Sequence, residues 1–166
     1  IYINLRPLRA LTRFDRKLLA PVMALRNALG VAVPLFAGIL LGSPSGGVMA
    51  ATGALDVAFS DGNDPYIHRA RRMLTAAFFV SLAVFAGRLS GANHPLSIAL
   101  EAACAFTAGI LVAAGTTPSD IGTITLVTLI VFSASPASSF GKALTSGVLA
   151  LSGGVLQTLF SLALWP

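Results

Sequence analysis

Residues 60–72 read SDGNDPYIHRARR and stand between GGVMAATGALDVAF (46–59) and MLTAAFFVSLAVFAG (73–87), two stretches with almost no charge. The segment carries Asp61, Asp64, His68, Arg69, Arg71 and Arg72, whereas the 94 residues after it carry only Arg88, His94, Glu101, Asp120 and Lys142. Charge confined to a short connection between apolar runs marks a loop at a membrane surface.

Composition agrees with this reading. Apolar residues make up 55% of the 166 and charged residues 10%, against the roughly 25% charge of soluble domains. Such a chain has too little polar surface to cover itself. The pI near 10.4 does not indicate nucleic acid, because binders of that class spread bases over a solvated face with stacking aromatics. Here the bases flank apolar runs. A single cysteine, Cys104, excludes an internal disulfide and a cysteine-based metal site.

Working outward, six apolar runs can be read: 18–41, 46–60, 73–89, 95–115, 121–134 and 143–165. A bilayer-spanning helix needs about 20 residues, so the shorter runs must borrow flanks: the second from near Gly42, the third from near Pro65, the fifth onward to Ser139. A soluble core is disfavoured because the last four runs lack the polar stripe of a surface helix. The connections at 41–47, 89–95 and 133–142 are short and rich in small residues; GTTPSD (115–120) and the opening segment alternate with them. Nine of the eleven lysines and arginines fall with the amino terminus and the opening segment, and Arg88 and Lys142 fall on the other side. By the positive-inside rule both termini are cytoplasmic. The expected fold is all-α: a polytopic membrane protein of six transmembrane helices in three hairpins over 21–166.

Ahead of it, residues 1–20 place Arg6, Arg9, Arg13, Arg16 and Lys17 on one helical face and Leu8, Leu11, Phe14, Leu18 and Leu19 on the other. That is a basic amphipathic helix for anionic lipid at the membrane surface. Asp64 followed by Pro65 reads as an N-cap with proline at the first helical position, opening the third helix.

Ionisable groups inside lipid are expensive and usually face the bundle interior or a water-filled path. Here they are Arg26, Asp56, Glu101 and Arg88. Counting back from the turns puts Arg26 about 9 Å from Asp56 in depth, and Arg88 about 7 Å from Glu101. An Arg26–Asp56 pair and an Arg88–Glu101 pair are therefore possible, one in each leaflet. His68, Arg69 and Arg72 at the start of the third helix could form a basic mouth that attracts anions. Gly38 with Gly42, and Gly87 with Gly91, offer faces for close helix packing within the bundle or between copies.

Signatures of soluble catalysis are missing: no two glycines lie two apart, which excludes GxGxxG, and no P-loop precedes Lys142. His68 and His94 fall at opposite faces of the expected bundle, too far apart to share a metal. The chain reads as a non-enzyme, with no metal and no cofactor.

The residues RNALGVAVPLFAGILLGSPSGGVMAATGALDVAFSD (26–61), followed by YIHRARRML (66–74), resemble the start of the membrane half of the fusaric acid resistance family. That family includes aromatic acid exporters, and the plant aluminium-activated malate channels are similar in layout. The shared pattern is an arginine entering the first helix, a Gly/Pro turn, a small-residue second helix ending in an acid, and arginines opening the third. The resemblance implies a unit in the bacterial inner membrane that exports small organic anions, joined to a second six-helix unit or to its own copies, with a soluble cytoplasmic region after residue 166. The expected function is proton-coupled export of organic or aromatic carboxylates, with Asp56 or Glu101 exchanging protons. An anion channel, or a membrane anchor for a larger protein, stays open beside it.

Overall fold

The structure, a computed structural model, describes residues 21–62 and 65–163. The expected amphipathic helix at 1–20 and the expected cap at Asp64 lie outside the described residues. Six helices follow one another: α1 (Pro21–Leu40), α2 (Pro44–Phe59), α3 (Tyr66–Ser90), α4 (His94–Ala113), α5 (Thr116–Ser133) and α6 (Phe140–Ala163). No strand occurs among the described residues. All but α2 are long and apolar enough to cross a membrane, as a multi-pass membrane protein requires.

The helix boundaries follow local chemistry. The α1–α2 turn is closed by Gly42 at φ +69, with Ser43 N–H donating to Gly38 O at 2.8 Å and Gly42 N–H to Ile39 O at 3.1 Å. This is the six-to-one and five-to-two pattern of a Schellman cap, which needs a residue tolerant of positive φ. Pro44 then opens α2, where its missing N–H is no loss. Gly42 therefore belongs to the turn and is no packing residue, and α2 begins after it. At 16 residues, α2 is about 24 Å long, less than the roughly 30 Å hydrocarbon core.

Other boundaries differ from expectation. Helix α3 opens with Pro65 at its cap position, φ −54 and ψ 149, one place earlier in the helix than foreseen. Helix α5 absorbs most of the GTTPSD connection and stops at Ser133 instead of continuing to Ser139, since Pro136 cannot continue the ladder. Pro118 sits within its first turn, where an N–H would go unused.

The expected pairing into three hairpins is also corrected. Helices α1 and α2 do pack as neighbours, but α6 lies mainly against α2 and α3, α5 against α3 and α4, and α3 and α4 touch only slightly. Small residues decide this. A methyl group on Gly53 would run into the carbonyl of Ala150, and one on Gly153 into that of Ala50, so α2 and α6 cross backbone to backbone. Gly38 meets Gly47 in the same way between α1 and α2, and Gly87 and Gly91 meet the 129–133 end of α5. Close approach of this kind is how helices associate where lipid removes the hydrophobic drive.

The sorting of side chains follows the same logic. The interior holds Ala50, Ala54, Val57, Ala76, Ala77, Val80 and Ala150 together with buried Ser, Thr, Gln and Arg, while Phe36, Phe78, Ile98, Phe106 and Val112 face outward, each more than half exposed. Large apolar groups outside and small or polar groups inside suit a lipid surround and would be unfavourable in water.

Candidate functional site

Three polar centres lie along the bundle. The first is at the end formed by the start of α1, the α2–α3 connection, the start of α3 and the end of α6. Asp61 is its centre, with a side chain 2% exposed. Its Oδ2 accepts from Arg26 Nη2, from Arg69 Nη2 at 2.7 Å and from Ser161 Oγ at 3.3 Å. Arg69 Nε lies 2.5 Å from the other oxygen, Oδ1, as an ion-pair contact beside that hydrogen bond. Arg26 Nη1 also reaches the Ser161 carbonyl at 3.4 Å. Arg26 and Arg69 are 3% and 1% exposed. Two buried cations therefore share this one buried anion.

A turn deeper, Gln157 donates from Nε2 to Asn27 Oδ1 at 2.9 Å. Gly30 leaves the room that the Gln157 carboxamide fills, since a methyl there would occupy the place of Oε1.

The second centre is Asp56, half-buried on α2. Its Oδ2 lies 2.8 Å from Thr128 Oγ1 on α5, and that hydroxyl lies 2.8 Å from the carbonyl oxygen of Ile124. Thr128 has one hydrogen for two acceptors. If Asp56 carries a proton the chain is complete: the carboxylic acid donates to Thr128, and Thr128 donates to Ile124. If Asp56 is ionised, Thr128 turns to it and its bond to the carbonyl is given up. The site accommodates both states without moving a helix.

The third centre lies toward the opposite end. Glu101 Oε1 accepts from Ser97 at 2.8 Å and Ser133 at 2.6 Å, and the residue lines a cleft of about 540 Å³ beside His94. Arg88 is on another side of α3, its Nη1 3.8 Å from the sulfur of Met49.

Neither of the two possible ion pairs forms. Arg26 pairs with Asp61 and not Asp56, because Arg26 and Asp61 both lie at the bundle end whereas Asp56 is more than a turn inside it. Glu101 is bound by hydroxyls and not by Arg88, because α4 leans on α5 and barely touches α3. Of the three residues expected at a basic mouth, Arg69 is turned into the cluster, His68 is exposed, and Arg72 is half-buried against Gly62. Asp61, Thr128 and Ser161 were not singled out from the sequence. Gln157 and Ser161 stand one helical turn apart in the last apolar run, and that spacing was a readable signal of a polar interior face.

Among the described residues no group of His, Cys, Asp and Glu could hold a metal ion. No protein-family model, curated protein or solved structure matches the chain.

Proposed function

We propose that the chain is the membrane unit of a secondary exporter, moving organic or aromatic carboxylates outward in exchange for protons. The observation that carries this reading is the Asp56–Thr128–Ile124 relay, a half-buried carboxylate whose surroundings satisfy it in both protonation states. A carrier that exchanges a proton for an anion needs such a group, and an acid held only by cations would lack it. The basic residues gathered at this end, Arg26, Arg69, Arg71 and Arg72, support attraction of an anion at the end that the positive-inside rule makes cytoplasmic. The resemblance to the fusaric acid resistance family points the same way, and the proposal places the unit in the bacterial inner membrane with both termini inside. Arg69 in this reading holds the entrance together and does not bind the anion itself.

An anion channel is the second reading, favoured by the arginines gathered at the start of α3, and it requires no titrating acid. The two separate in proteoliposomes loaded with benzoate. With acid outside, the wild-type chain should release benzoate, and Asp56→Asn should slow this by about tenfold or more while exchange of labelled for unlabelled benzoate continues. Release driven by the pH gradient at the wild-type rate in a well-folded Asp56→Asn protein would remove the proton-carrier role.

The orientation has its own test. In a Cys104→Ser background, a cysteine at His68 should be labelled by a membrane-impermeant maleimide only from the cytoplasmic side, and one at Ala92 only from outside; both positions are exposed. Labelling of both from one side would contradict the six-pass topology.

A further inference from the structure

At the end of the bundle opposite Asp61, a cleft of about 290 Å³ opens between the α1–α2 turn, α3 and the start of α6. Arg88 and Lys142 both line it, and no acidic residue does. Arg88 Nε is buried without a hydrogen-bond partner. Its Nη1 reaches only a thioether sulfur, 3.8 Å away, and sulfur is a weak acceptor. Two cations facing one cleft repel each other, and a guanidinium without an oxygen partner is poorly satisfied; an oxyanion would relieve both. Ser43 and Ser45 add hydroxyls to its lining, and the start of α2 beside them has no side-chain cap. The floor is apolar, formed by Met49 and Leu149.

We infer that this cleft is a binding site for an amphipathic oxyanion, a carboxylate or phosphate head on an apolar tail. The head lies between Arg88 and Lys142 and the tail against Met49 and Leu149. The cleft stands apart from Asp56 and from the Asp61 cluster, and its occupation at equilibrium needs no gradient. A failure to transport would leave this inference intact, and a failure to bind would leave the Asp56 relay intact.

A free organic carboxylate and an anionic lipid headgroup share this chemistry, and two arms tell them apart. In the first arm, the full chain is reconstituted in phosphatidylcholine nanodiscs and titrated with 2-naphthoate by calorimetry. In the second, it is purified from mixed phosphatidylcholine and phosphatidylglycerol and retained lipid is read by native mass spectrometry. Binding of naphthoate that falls about tenfold in each of Arg88→Gln and Lys142→Gln supports the site with a free anion as occupant. Retained phosphatidylglycerol that disappears in Lys142→Glu supports it with a lipid as occupant. Lys142 is exposed, so its variants decide the matter even if Arg88→Gln does not fold. Naphthoate and phosphatidylglycerol that bind Lys142→Glu as they bind the wild type, or that bind neither protein, would overturn the inference.

Discussion

Replacing Asp61 with asparagine is expected to leave little folded protein in the membrane. The carboxylate is the shared acceptor of Arg26, Arg69 and Ser161, contributed by α1, α3 and α6, and removing its charge takes that acceptor from two guanidiniums that are almost wholly buried. Breaking a buried pair by removing one partner costs about 3 to 5 kcal/mol, and here one anion serves two cations. A loss of that size is a large part of the roughly 5 to 15 kcal/mol that holds a domain together. The measurement is the thermal midpoint and the monodisperse fraction of the detergent-solubilised protein. Removing the cations as well, with Arg26→Gln and Arg69→Met alongside Asp61→Asn, should recover much of the loss, since an apolar or neutral replacement of a whole ion cluster is often tolerated. An Asp61→Asn protein with the wild-type midpoint would show that the two arginines escape to headgroups and that the cluster is not a structural tie.

The second large effect is expected at Gly153. Alanine there places its methyl against the carbonyl of Ala50, which is backbone and cannot swing away. Helices α2 and α6 would have to separate, and overpacking of this kind costs about 1 to 3 kcal/mol. Part of the Ala50, Ala54 and Ala150 contact would be lost with it. Gly109→Ala on α4 is the control: nothing lies within 4 Å of its added methyl, so it should be neutral or slightly stabilising through the lower helix cost of alanine. Equal thermal midpoints for Gly153→Ala and Gly109→Ala would mean that the α2–α6 crossing is looser than a backbone contact.

Both expectations fall on positions that the sequence did not mark. Asp61 was one charge in a charged loop, and nothing in its neighbours shows that it turns inward. Its partners come from residues 35, 8 and 100 positions away, and which groups meet across such separations depends on how the helices lean. The same holds for Asp56: its depth on a small-residue helix was legible, and its partner was not. Thr128 reaches it only because α5 settles beside α3, drawn there by the Gly87 and Gly91 face.

What the sequence by itself determined is what one helix and its solvent can decide. Apolar runs of near-bilayer length, charge gathered at their ends, and short small-residue connections between them specify an all-helical chain with long apolar segments, because hydropathy and turn chemistry act within a few residues. The tertiary structure alone decided the order of packing and the partners of the buried charges. Long helices of similar hydropathy have no preference for one neighbour over another until their surfaces meet. The choice then falls to small residues, which let Gly153 close on Ala50, and to polar groups that must find an acceptor wherever that closure leaves them, as Arg26 finds Asp61.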